Sequence, residues 1–288
     1  MRHILVPTDF SDCATWAAQT AIEIAKLSGG EVHFLHYMSI PINWIQMEQD
    51  QEKLYPDITE DVNHANSELM RLISMAEKHG VSAHHFLGYN ESSANIVRHI
   101  TEQSIDLVVM GSHGASGLRE MFIGSNAQRI VRLSPVPVMI IKKPMKSIHI
   151  PDILFVSDFE PEAISAFERL VGFAEMVHAK IHLININTPT YFSDTWEIKS
   201  KMEPFLLMAG DLLKNTEILD AYVFEDGLQK HCMGFEQAIV AMATHGRRGI
   251  SRIFYGSVTE KIVNHIPFPV LSFRIKETNQ EAYLQSIN

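Results

Sequence analysis

Cysteine, runs of basic charge and long apolar stretches are all scarce in this chain of 288 residues. The two cysteines, Cys13 and Cys232, form neither a disulfide framework nor a CxxC metal or redox site. They read as reduced core thiols of a cytosolic protein. The formal net charge is −10, and no basic run exceeds pairs such as Lys142-Lys143 and Arg247-Arg248. A duplex-binding protein would present a basic face, so that class is set aside. One small anion at a locally basic spot remains compatible. No window approaches about 18 apolar residues, so no membrane span is expected. The opening MRHILVPTDF is too short in its apolar stretch for a signal peptide. GxxxxGK[ST] is absent, and no GxGxxG follows the first apolar run, which excludes a P-loop NTPase and the dinucleotide fingerprint.

What is present is a duplication. Ile4-Leu5-Val6-Pro7-Thr8-Asp9-Phe10 aligns with Ile153-Leu154-Phe155-Val156-Ser157-Asp158-Phe159, and Val32–Leu35 with Ile181–Ile184 at the same offset. GSHGASGLREMFIGS, starting at Gly111, then meets ATHGRRGISRIFYGS, starting at Ala243. That second offset is smaller, so copy two has lost about 17 residues after its second strand. Within copy one, apolar runs at 3–8, 32–37, 81–87, 105–110 and 136–141 read as buried strands. Helices are expected after Ser11, over 61–79, 93–103 and 124–133, with Ser11 as an N-cap and Gly29-Gly30 as a C-terminal stop. Alternating strands and helices predict an α/β fold: two tandem open parallel five-stranded sheets, with helices on both faces. The expected domains are 1–142 and 151–276, joined by a Pro- and Lys-bearing linker at 143–150, with a polar tail at 277–288.

The repeated frame carries the chemistry. A strand runs into Gly-x-x-Gly, then a loop, then Gly-Ser opening a helix. Glycines allow close backbone approach, and a helix N-terminus favours an anion. Ala243 replaces the first glycine of copy two. If that position requires positive φ or ligand contact, the methyl group is costly; if it is an ordinary strand end, it is harmless. The helix ahead of AIVAM is expected at 226–237 and short, which would leave the second pocket wall incomplete. His113 and His245 share one slot and read as structural loop histidines, since no nucleophile or carboxylate accompanies them. Arg119, Arg247 and Arg248 are loop cations that can contact phosphate or stay solvated. His84-His85 cannot chelate one ion, because adjacent strand residues face opposite ways. No metal site and no catalytic residue is expected.

These residues, ILVPTDFS with ILFVSDFE and VMGSHG with AMATHG in a G-2x-G-9x-G-[ST] frame, resemble the universal stress protein family. The resemblance covers about 1–142 and 151–275. It implies a Rossmann-like fold of the adenine nucleotide hydrolase-like superfamily, ATP binding with or without magnesium, and a role in stress survival in the cytoplasm. It also implies pairing of the two halves through their fifth strands, 136–141 and 270–275, and dimers or a protein partner. Position by position, it implies ATP contacts at Pro7, Thr8, Asp9, Tyr37, Met110, Gly111, His113, Gly114, Gly124, Ser125 and Asn126. In copy two it implies Ser157, Asp158, Ile186, Ala243, Gly246, Gly256, Ser257 and Val258. Tyr37 stands where the family usually has Val, and can stack on the base or fill its slot. The expected role is ATP as a regulatory ligand, best held in copy one; the alternatives are a slow ATP hydrolase or a nucleotide-free scaffold.

Overall fold

The computed structural model describes residues 1–40, 56–89, 93–112, 124–145, 150–245, 266 and 268–275. The expected tail lies outside the described residues, as do half of the expected linker and the Gly-Ser loop of copy two. The chain divides into two compact units, the first built chiefly from residues 1–148 and the second chiefly from 149–288.

In the first unit, strand β1 (His3–Pro7) leads to helix α1 (Asp12–Ser28) and strand β2 (Glu31–Met38). Helix α2 (Pro56–Lys78), strand β3 (Ser82–Tyr89), helix α3 (Ser93–Glu102), strand β4 (Leu107–Gly111), helix α4 (Ser125–Leu133) and strand β5 (Val138–Ile141) follow. The strands order as β3-β2-β1-β4-β5, all parallel. Chain direction across the sheet reverses between β3 and β4. Right-handed crossovers therefore set α1 and α2 on one face and α3 and α4 on the other. Residues 4–6 of β1 are fully buried, as a strand covered on both faces requires. Ser11 caps α1 by accepting from the Ala14 amide, and Gly29 ends it in the left-handed conformation at φ 64°. Ser28-Gly29-Gly30 is thus a helix stop.

The second unit repeats the pattern with β6 (Asp152–Val156), α5 (Ile164–Val177), β7 (Lys180–Asn187), α6 (Thr195–Ala209), β8 (Leu213–Asp220), α7 (Phe224–Cys232), β9 (Ile239–His245) and β10 (Val270–Ile275). Its parallel order is β8-β7-β6-β9-β10. The core chemistry differs between the units. Small alanines pack α1 onto its sheet. In the second unit, Phe205 of α6 instead packs on Phe155, Phe159 and Phe167, with ring centroids 5.1–6.1 Å away.

One expectation needs correction, and one open question is answered. The helix before β9 spans Phe224–Cys232 rather than 226–237, and its 9 residues nearly match the 10 of α3. It is not shortened. The lost residues fall earlier: α6 has 15 residues against 23 in α2, and the connection leading into it is shorter too. Gly111 does not have a positive φ, since the positive-φ glycines among the described residues are Gly29, Gly80 and Gly210. It is glycine because α1 passes close by. A Cβ there would lie 3.0 Å from the Cys13 carbonyl carbon and Cβ, and 3.2 Å from the Ala14 nitrogen. In the second unit, the corresponding helix is entered through a 3-10 turn at Pro161–Ala163 with no side-chain cap, and Ala243 sits as an ordinary buried residue of β9.

Candidate nucleotide site

A cavity of about 450 Å³ opens at the carboxyl ends of β1 and β4, where the strand order switches. That is where ligands bind in open parallel sheets, and the volume suits a small-molecule ligand. Pro7, Thr8, Asp9, Tyr37, Met110, Gly111, Gly124, Ser125 and Asn126 all line it. His113 and Gly114 lie outside the described residues.

The turn after β1 is built to present Asp9. The Thr8 amide donates to the Leu35 carbonyl at 2.9 Å, tying the strand end to β2. The Thr8 hydroxyl accepts from the Phe10 amide at 3.0 Å, which holds Phe10 in a left-handed conformation at φ 64°. A left-handed non-glycine residue costs about 1–2 kcal/mol, so the turn is specified rather than incidental. The Ser11 amide then donates to the Asp9 carboxylate at 3.1 Å. A carboxylate offers about four lone-pair positions, enough to accept sugar hydroxyls as well.

Across the cavity, Gly124 leads into the first turn of α4. Its amide donates to the Ser112 carbonyl at 2.8 Å, joining the helix start to the end of β4. Ser125 and Asn126 are exposed at that N-terminus, where the helix dipole favours an anion. The ring of Tyr37 lies over Gly88, its register partner on β3. Tyr37 is thereby turned toward the neighbouring strand, and the cavity stays open beside it.

Several lining residues escape sequence reasoning, among them His36, Ser112 and Ile96. His36 Nδ1 donates to the Thr8 carbonyl at 2.7 Å and braces the same turn. A signal for it existed in the duplication. Asn185, at the matching position of copy two, donates to the Ser157 carbonyl at 3.1 Å.

The second unit keeps the turn, and the cavity beside it among the described residues is small. Ser157 accepts from the Phe159 amide at 2.9 Å, and Phe159 is left-handed at φ 58°. Asp158 and Ile186 border a cavity of only about 50 Å³. A 3-10 turn at Pro189–Tyr191 folds over the end of β7, and Asn187 ties it down by donating to the Ser193 carbonyl and accepting from the Ser193 amide. Lys201 bridges Glu160 at 3.0 Å and Glu197 at 2.7 Å. Hydrogen bonding to Glu197, then to Glu160, raises the Lys201 pKa above its ordinary value against the opposing effect of burial. Ala243 is buried in β9, while Gly246, Gly256, Ser257 and Val258 lie outside the described residues.

The sequence pattern of the universal stress protein family matches residues 1–142 and 225–274. The chain belongs to the universal stress protein family. A universal stress protein of Methanocaldococcus jannaschii is 32% identical over 146 residues, covering 50% of this chain and 84% of the relative. One from Synechocystis is 21% identical over 295 residues, covering 95% of this chain and all of the relative, so it too spans both units. The crystal structure of a universal stress protein from Archaeoglobus fulgidus superposes with a TM-score of 0.73 at 18% identity, covering 96% of this chain and 97% of that one. Membership accounts for the duplicated turn. Both copies here follow their first strand with an aspartate, Asp9 and Asp158, in a turn closed by the same hydroxyl-to-amide bond.

Proposed function

We propose that the first unit binds ATP as a regulatory ligand, and that the protein serves a stress response in which nucleotide occupancy shifts its conformation or partner choice. The carrying observation is the open cavity with a fixed carboxylate, Asp9, on one side and the N-terminus of α4 on the other. Sugar hydroxyls would meet Asp9, and phosphates would meet Ser125, Asn126 and the helix dipole. The smaller, braced cavity beside Asp158 supports an asymmetric assignment, with the first unit as the nucleotide carrier. The cytoplasm is the proposed compartment: both cysteines are buried and form no disulfide, which suits a reducing environment.

Calorimetry with Mg-ATP on the wild-type chain and on Gly124→Glu tests this. The wild type should bind about one equivalent, and the variant should bind none, because a carboxylate then stands at the phosphate position. No heat from the wild type, or equal binding by both proteins, ends the proposal. Denaturing the purified protein and identifying released adenine nucleotide by mass spectrometry gives an independent check.

A further inference from the structure

The amino ends of the first unit's strands carry a second constellation, at the opposite end of the sheet from the cavity. His3 opens β1, Glu31 opens β2, His33 follows two residues later on the same face, and His84 is the register partner of His33 on β3. The Glu31 carboxylate lies 2.9 Å from His33 Nε2, 3.4 Å from His84 Nε2 and 3.9 Å from His3 Nε2. Donor atoms of Glu31, His33 and His84 all fall within 4.8 Å of one another. Tetrahedral zinc with bonds near 2.0–2.1 Å sets its ligand atoms about 3.3 Å apart. We propose that Glu31, His33 and His84 form a divalent transition-metal site of the zinc class, with His3 bordering the fourth position.

The hydrogen bonding around the cluster supports a bound cation. His3 Nδ1 sits 3.2 Å from both the Gln103 and Ser104 carbonyls, which only accept, so Nδ1 carries the proton. Nε2 of the same ring faces the Glu31 carboxylate at 3.9 Å. A ring proton held on a backbone carbonyl is also the usual way a ligating histidine is oriented. His33 is buried in a wall of rings, stacked on Phe86 at 5.4 Å, with His99 of α3 set edge-on to Phe86 at 4.6 Å.

The second unit shows how the same place is filled when no metal is needed. His182 occupies the position of His33 and lies 2.8 Å from Asp152, which stands where His3 stands in the first unit. Lys214 places its Nζ 2.7 Å from that same carboxylate oxygen. There the chain supplies its own cation. Around Glu31, the partners found among the described residues are imidazoles. Imidazole and carboxylate donors select zinc-class ions over magnesium or calcium, which favour all-oxygen sets.

The test uses the full, untagged chain without nucleotide, so its outcome is independent of the ATP proposal. Zinc would be titrated against a chromophoric chelator, and cobalt(II) added separately to read coordination from its visible absorption. The wild type and His85→Ala should bind about one zinc per chain and give an intense, four-coordinate cobalt band. His84 is half exposed, so His84→Ala should fold normally. It should weaken zinc binding at least about tenfold and bleach the cobalt band, and Glu31→Gln should do the same. Equal zinc affinity in the wild type and His84→Ala overturns the proposal. So does the absence of zinc binding, or equal competition by magnesium.

Discussion

Placing a methyl group on Gly111 tests why copy one writes glycine where copy two writes alanine. The Gly111→Ala Cβ would stand 3.0 Å from the Cys13 backbone and 3.2 Å from the Ala14 nitrogen. Those neighbours are the first turn of α1, whose cap at Ser11 is itself bonded to Asp9. The backbone must yield by a few tenths of an ångström, an overpacking cost of about 1–3 kcal/mol. For a unit of this size, each kcal/mol lowers Tm by roughly 2–4 °C. Hydrogen exchange read by mass spectrometry suits a two-unit chain, because each unit reports separately. Protection should fall in peptides from β1 and β4 and hold in peptides from β6 and β9. Mg-ATP binding should weaken as well, because the moved turn carries Asp9. The reciprocal Ala243→Gly change should cost the second unit about 1–2 kcal/mol, through backbone entropy and the lost buried methyl group. If Gly111→Ala leaves β1 and β4 protection unchanged, the close-approach explanation fails, and glycine at 111 has another cause.

Other perturbations follow from the same geometry. Gly88→Val drives side-chain atoms into the Tyr37 ring and pushes it toward the cavity; Mg-ATP affinity should fall at least about tenfold while far-ultraviolet circular dichroism is retained. Phe205→Ala removes the ring shared by Phe155, Phe159 and Phe167; the second unit should lose about 3–5 kcal/mol, read as lost exchange protection in β6 and β7. Burial lowers the His33 and His99 pKa values, so the unfolded chain binds more protons just below about pH 6.5. First-unit stability should therefore be full above about pH 6.5 and fall as pH drops toward the lower folded values. His33→Gln should flatten that slope in a Tm series, and a Tm that rises on acidification would contradict the assignment. His3, Glu31, His84 and His99 face the same ring, so the slope belongs to the cluster.

The fold was legible because its signals are local. Apolar runs of strand length, a serine cap and a glycine stop each act within a few residues, and the duplication wrote them twice. The site's location at the carboxyl ends of the strands follows from the parallel sheet and the switch-point rule, whereas the strand order came from the structure. Other features depended on distances between elements. The sequence left open whether the Gly111 position needs glycine for its φ, for a ligand or not at all, and the cause is a helix passing close by. His84-His85 drew attention as a pair and could not ligate together. The partners of His84 lie on neighbouring strands, at register positions that no linear spacing reveals.

The same distinction explains how the two units diverge. The skeleton of the first turn is intact in both: Thr8 and Ser157 bond the following backbone, Phe10 and Phe159 take the left-handed conformation, and His36 and Asn185 brace the carbonyl behind. These contacts serve folding, so they survive whether or not a ligand binds. The volume above the turn answers to a ligand instead. In the first unit it is open, and in the second the described residues beside Asp158 leave only a small cavity, bordered by a braced 3-10 turn and a paired lysine. At the amino ends the logic repeats with the opposite charge: Lys214 neutralises a carboxylate in one unit, and a ring of imidazoles surrounds one in the other. A buried or half-buried carboxylate requires compensation in either case. Retained aspartates after β1 and β6 therefore record the duplication, and the two units differ, among the described residues, in the volume and charge around them.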